Sequence, residues 1–328
     1  MKTTSYIIGS LLALGGMFLG IFANANQSLA QRIDPIVSTD WLASHSSLVK
    51  IIDIRNPDDF KKGHIPGAIN EPFIKAFDPK CQGPSSNWIV GSEDCLWLQL
   101  PKNEDLFKTI GNLGITKDSL IVIITAPTPN QPPYFGFANA TRVATTLIYA
   151  GVKNVAILDG GYLKWVSEGK PISTEIPNVI PITYRGDISN EIFVTIDYVE
   201  KNINKAVIID ARDTEVYFGV VTEPYAPKPG HIPQARSLPA PWIWKFNKEG
   251  IYTYKDKEIL RAMASGVINR DGKSKDKEII IYCGVGGYAS SWWFVLTQIL
   301  KYENVKIFDG STQEWVKKGY NMVSYKWE

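Results

Sequence analysis

The sequence predicts an α/β fold with two parallel sheets, each flanked by helices on both faces. Three observations carry this expectation. Short β-branched runs alternate with helical stretches. The runs are apolar on both faces, as buried parallel strands are. The whole pattern then occurs a second time.

The repeat is read by self-comparison. Val37–Leu42 (VSTDWL) returns as Val194–Val199 (VTIDYV), and Ile51–Arg55 (IIDIR) as Ile208–Arg212 (IIDAR), both offset by 157 positions. Gly63–Ala68 (GHIPGA) returns as Gly230–Ala235 (GHIPQA), after ten further residues around Val220–Pro229. Asn154–Gly160 (NVAILDG) returns as Asn304–Gly310 (NVKIFDG), with Trp165 and Trp315 in register. The expected domains are 31–170 and 185–328, joined by a linker over 171–184 that opens on a proline-rich stretch.

Taken in order, each half opens at an N-cap, Ser38 or Thr195, ahead of a short helix. The first half's strands are expected at Leu48–Ile54, Leu120–Thr125 and Val155–Leu158. Those of the second half are expected at Ala206–Ala211, Glu278–Cys283 and Val305–Phe308. Helices are expected at Ala140–Tyr149 and Ala289–Leu300. Ligands of such sheets bind beyond the carboxyl ends of the strands.

Residues 1–30 read as a signal peptide. Lys2 precedes the uncharged run Ile7–Phe22, and small residues at Ala23–Ala25 and Ser28–Ala30 offer cleavage sites. An uncleaved anchor is the alternative, for a run short of a typical span. The expected location is the periplasm, with no membrane contact after cleavage.

Composition removes several functions. The 328 residues are 45% hydrophobic and 21% charged, ordinary for a globular chain. Thirty-five Lys and Arg against 33 Asp and Glu leave a formal charge of +2, without the basic excess of a nucleic-acid binder. Three histidines and three cysteines, with no CxxC or HxxxH spacing, predict no metal site, and no cofactor is expected.

Cys283 is the candidate nucleophile. It ends the run Ile279–Cys283, and Gly284-Val285-Gly286-Gly287-Tyr288 leads into a helix. Three glycines let the backbone curl and turn its N–H groups inward, onto an anion at the sulfur. The thiol is therefore expected to have a depressed pKa and to be a thiolate near neutrality. A small buried core cysteine is the competing reading. No histidine base is evident: His64 and His231 occupy matching GHIP turns, and His45 is expected unpaired on the surface. Cys81 and Cys95 bracket an insertion of the first half. In an oxidising compartment they would form a disulfide contributing about 3 kcal/mol; two free thiols are the alternative. Thr125 stands where the second half has Cys283, in a loop whose prolines lack N–H groups. The first half is expected to be catalytically silent and to form a wall of the site. Trp292, Trp293 and Phe294, with Trp242 and Trp244, are expected mainly in core or interdomain packing.

These motifs together resemble the tandem-domain rhodaneses, the thiosulfate and 3-mercaptopyruvate sulfurtransferases. The resemblance rests on Asp53-x-Arg55 with GHIPGA, Asp210-x-Arg212 with GHIP, Cys283–Ala289, Leu158–Gly161 and Phe308–Ser311. It implies a silent first domain and an active second one, with Cys283 cycling through a persulfide. The loop 284–288 would hold the transferred sulfur, and Asp210 and Arg212 would support it. The implied partners are a small sulfur donor (thiosulfate, 3-mercaptopyruvate or a polysulfide) and a thiophilic acceptor such as cyanide, a small thiol or a protein thiol. The family's donor-binding arginine is replaced by Val216, leaving Lys228 of the insertion or a first-domain cation as substitutes. That departure favours a second reading, a low-turnover sulfur-delivery module for a partner protein. A related phosphatase would need an arginine where Ala289 stands.

Overall fold

The computed structural model describes residues 32–128, 131–270, 272 and 277–328. The expected signal peptide lies outside them. Among the described residues no helix is long and apolar enough to cross a membrane.

The first half has strands β1 (Ile36–Val37), β2 (Lys50–Asp53), β3 (Ile69–Asn70), β4 (Leu120–Ile124) and β5 (Asn154–Leu158). The second has β6 (Phe193–Val194), β7 (Val207–Asp210), β8 (Arg236–Ser237), β9 (Ile279–Tyr282) and β10 (Val305–Phe308). The sheets run β1-β5-β4-β2-β3 and β6-β10-β9-β7-β8, parallel throughout, so the two halves share one topology. The central strands are apolar on both faces because helices cover both: Ile121, Val122, Ile123 and Ile124 are all fully buried.

Among the described residues, five α-helices serve each half. They are α1 (Thr39–His45), α2 (Pro57–Lys62), α3 (Asn103–Asn112), α4 (Phe135–Tyr149) and α5 (Gly161–Ser167), then α6 (Ile196–Asn202), α7 (Thr214–Phe218), α8 (Lys257–Ile268), α9 (Gly287–Phe294) and α10 (Ser311–Lys317). Ser38 caps α1 and Thr195 caps α6, each accepting from the N–H three residues on. The helix expected to run to Leu300 changes at Val295 into a π turn over Val295–Ile299. His45 is not unpaired: it stacks on Trp41 at 4.4 Å, and its Nδ1 lies 2.8 Å from the Trp41 carbonyl. His64 and His231 are buried turn residues, each stacked at 3.8 Å on the ring of Phe60 or Tyr217.

The halves meet through α4 and α9. Small residues there (Ala138, Ala140, Ala144, Ala289, Ser290, Ser291) let the backbones approach, and Thr141 Oγ1 lies 2.9 Å from Ser291 Oγ. One apolar core runs through this contact from Ile123 and Phe137 to Trp292 and Ile281. Trp292 and Trp293 are buried with their indole N–H groups on the Pro239 and Val305 carbonyls. The segment 171–184 is strapped along the first half: Ser173 pairs with His64, Ile182 N–H donates to the Gly111 carbonyl, and Tyr184 OH to that of Ala150.

Candidate active site

β7 and β9 are neighbours, with Tyr282 opposite Asp210, so the loops that follow them leave the same sheet edge. Arg212 and Asp213 follow β7. Cys283 follows β9. The Cys283 N–H donates to Ser311 Oγ at 3.1 Å, and its carbonyl accepts from the N–H and hydroxyl of Thr312 at 3.0 and 3.1 Å. The Gly284 carbonyl accepts from the Gln313 N–H at 3.1 Å. The turn is thus pinned by the start of α10.

Gly286 reverses the chain at φ +88° and brings its N–H to 3.1 Å from Cys283 Sγ. A side chain there would adopt a left-handed backbone conformation, and its Cβ would meet Asp309 Oδ1 at 2.9 Å and Arg142 Nη1 at 3.0 Å. Gly284 faces the other way. A Cβ on it would come within 2.4 Å of the Tyr225 hydroxyl, so the insertion of the second half packs directly on the loop.

The N–H cradle is present, but the resting thiol is not the expected thiolate. Cys283 is 3% exposed, and burial pushes its pKa up. The N–H groups of Ala289, Val285 and Gly286 oppose that rise, and the Glu223 carboxylate adds to it. Loss of water around the buried sulfur outweighs the cradle's N–H groups, and Glu223 adds to it. No histidine lines the cavity to take the proton.

Cys283, Gly284, Val285, Gly287 and Tyr288 line a cavity of about 300 Å³. Gly286, the remaining expected loop residue, is not part of the lining. The first half supplies the opposite wall with Phe73, Phe77, Trp97, Leu98 and Phe135, as expected of a wall-forming half. Thr125, the counterpart of Cys283, is buried with its hydroxyl on the Gly136 carbonyl at 2.8 Å. Trp292, Trp293 and Phe294 take no part in the lining.

Two carboxylates, Asp213 and Glu223, and no cationic side chain line the cavity among the described residues. Lys228 does not replace the missing arginine: it is turned away, with Nζ on the Tyr320 carbonyl at 3.2 Å. The first half's Arg142 is spent beneath the loop. It pairs with Asp309 at 2.5 Å and donates to the Leu98 carbonyl at 2.7 Å.

Asp210 and Arg212 form a buried pair under the site. Arg212 Nη2 lies 2.6 Å from Asp210 Oδ2 and 2.7 Å from the Gly230 carbonyl, and Tyr282 OH donates to Asp210 Oδ2 at 2.7 Å. Asp53, Arg55 and the Gly63 carbonyl repeat this arrangement in the first half. A pair present in both halves ties the strand end to the GHIP turn and is not itself the reacting group. Arg212 also reaches Glu223 Oε2 at 3.5 Å, and Tyr225 OH donates to Glu223 Oε1 at 2.6 Å.

Cys81 and Cys95 are joined as a disulfide with Cα atoms 4.9 Å apart. The end of the loop they close and the residues just after it are docked on the second half. Trp97 N–H donates to Gln313 Oε1 at 2.7 Å, Leu100 N–H to Asp309 Oδ2 at 3.1 Å, and Lys317 to the Asp94 carbonyl. Sequence reasoning missed Trp97, Glu223 and Tyr225 as lining residues. Their signal was position: each sits in an insertion that one half has and the other lacks. Arg142 was also missed, although a single charge inside the apolar stretch of α4 marks it.

Two parallel-sheet repeats, with a cysteine in a glycine loop at one strand end and a threonine at the other, define a tandem protein whose copies differ at the matching position. The rhodanese-like domain model matches residues 38–168 and 195–318, and the chain belongs to that family. It is similar to the sulfur carrier protein TtuD of Thermus thermophilus, 31% identical over 298 residues, 85% of this chain and 93% of the relative. It is similar also to a protein of Synechococcus elongatus named "Putative thiosulfate sulfurtransferase", 28% identical over 318 residues, 96% of this chain and 91% of the relative. Among solved structures, the anaerobic ergothioneine biosynthesis enzyme of Chlorobium limicola shares the fold, with a TM-score of 0.70 and 22% identity over 88% of this chain and 70% of that one.

Proposed function

We propose that this rhodanese-family protein is a sulfurtransferase that moves sulfane sulfur through a persulfide on Cys283. The observation that carries the reading is the free Cys283 sulfur, bonded by the Gly286 N–H and opening on a cavity walled by both halves. The thiol first gives its proton to solvent, and the thiolate attacks the outer sulfur of the donor. A new S–S bond forms as the donor's bond to that sulfur breaks, and the donor leaves with the electron pair. The cradle N–H groups then face the terminal persulfide sulfur. A thiolate or cyanide attacks that sulfur and expels Cys283 as thiolate, which gives ping-pong kinetics.

Thiosulfate, 3-mercaptopyruvate and polysulfide are the donors to compare. A cavity without a cation ranks dianionic thiosulfate low among them. The same observation favours the second reading, slow turnover with small donors and fast delivery to a partner protein's thiol, and a sulfur carrier is among the relatives. Residues 1–30 and the Cys81–Cys95 bridge support export to an oxidising compartment, the periplasm.

The test is intact mass after exposure to each donor. Gain of one sulfur atom by the wild type, and none by Cys283→Ser, supports the persulfide. No gain with any donor defeats it. Sulfur passed faster to protein thiols than to cyanide selects the delivery reading.

A further inference from the structure

We propose that the Cys283 cavity takes a small organic cation, an ammonium or protonated nitrogen compound, as the molecule brought to the sulfur. The inference rests on Cys283 being the reacting centre and names the chemical class that its walls select.

The walls are aromatic and acidic. Trp97 from the first half and Tyr225 from the insertion pack ring against ring at 5.5 Å, and Phe135 and Tyr288 do so at 5.4 Å. All four line the cavity. Aromatic faces attract a cation through their quadrupole and give nothing comparable to an anion. Glu223 contributes a carboxylate beside Gly284, and Asp213 a second one elsewhere in the lining.

The charges are not balanced internally. Two cations lie behind this wall among the described residues, and both are taken: Asp210 holds Arg212 bidentately, with 3.0 and 2.6 Å contacts, and Asp309 holds Arg142 at 2.5 Å. Glu223 receives only the 3.5 Å remainder of Arg212. The Asp213 carboxylate has no ion pair or side-chain hydrogen bond among the described residues. A dianion entering here meets two carboxylates and no countercharge in a poorly solvated space. An organic cation supplies the missing charge and buries its carbon against the rings. About 300 Å³ suits a molecule of amino-acid size.

The cation also bears on the sulfur. Glu223 disfavours ionisation of Cys283, and a positive charge between them reverses that influence. The titratable groups facing the cavity are Asp213, Glu223, Tyr225, Tyr288 and Cys283, with Arg212 and Arg142 behind; the first half's lining residues contribute none. Burial pushes the Asp213 and Glu223 carboxyls up. Cation affinity therefore rises with pH as they ionise.

The probes are choline and 3,3-dimethylbutan-1-ol, which share a shape and differ in charge, with thiosulfate as the anionic arm. Binding is measured by calorimetry on the full chain as wild type and as Cys283→Ser, so the readout needs no sulfur chemistry. Choline is expected to bind at least tenfold more tightly than the alcohol, and to lower the pH midpoint of Cys283 alkylation in the wild type. Glu223→Gln with Asp213→Asn should remove most of the tenfold preference. Equal binding of choline and the alcohol, no binding of choline, or tighter binding of thiosulfate each overturns the proposal. Such a result leaves the persulfide reading standing if one sulfur is still gained. Loss of that gain with choline selectivity intact defeats the persulfide reading alone.

Discussion

Cys283 is held between opposed influences, and the balance can be moved one residue at a time. Burial and Glu223 raise its pKa, and the loop N–H groups lower it. Removing a close negative charge favours the thiolate, so Glu223→Gln should shift the midpoint of iodoacetamide alkylation to lower pH. An unmoved midpoint would place the Glu223 carboxylate too far from the sulfur to act. His231 reports on pH differently. Its Nδ1 lies 2.9 Å from the Tyr217 carbonyl, its Nε2 is buried without a hydrogen-bond partner, and burial lowers its pKa from 6.5. A lowered native pKa means the unfolded chain binds the proton first. Stability from this residue is present above about pH 6.5 and is lost as pH falls through the native value. Denaturant midpoints between pH 7 and 5 should fall less steeply in His231→Gln than in the wild type. The chemical identity of Cys283 was legible in the sequence, since glycines between a strand and a helix signal an anion cradle. Its protonation was not, because desolvation depends on walls contributed by distant residues such as Trp97.

At the scale of elements, the strands were legible to within about two residues, because β4 and β9 are apolar on both faces. The two-residue strands β1, β3, β6 and β8 were not, since two residues carry no period. The π turn after α9 was hidden for a similar reason: Val295–Ile299 continues the apolar pattern of a helix without showing where the hydrogen bonds widen. The loop between β9 and α9 depends on its one left-handed residue. Gly286→Ala places a methyl against Asp309 and Arg142 and strains the backbone, which should cost roughly 1–3 kcal/mol. It should also slow sulfur loading, because the N–H at 3.1 Å from Sγ is re-aimed. Denaturation together with intact-mass time courses checks both. Normal loading in a folded Gly286→Ala protein would show that this N–H is dispensable.

Across the whole molecule, the halves are coupled at the Cys283 loop. Arg142 of the first half neutralises Asp309 under that loop of the other. Arg142→Met leaves that carboxylate unpaired and frees the Leu98 carbonyl, and should cost about 3 kcal/mol in denaturant. The conservative Arg142→Lys should recover part of this. Opening the bridge by Cys81→Ser with Cys95→Ser should cost about 3 kcal/mol and loosen Trp97. Proteolysis of the 78–99 loop would report that loosening, and an unchanged cleavage rate would mean that its hydrogen bonds to Gln313 and Asp309 suffice. The duplication was plain in the sequence, because Asp53/Asp210 and the GHIP turns recur in order. The wall-to-loop contact was not, because residues 97 and 313 share no motif and meet only after both sheets have formed.

The first half lends the cavity a face, and the second half brings the thiol. Wall and sulfur are therefore carried on separate inheritances. A chimera that grafts residues 71–100 from a relative would change which molecules reach the sulfur while every atom that bonds to it stays the same.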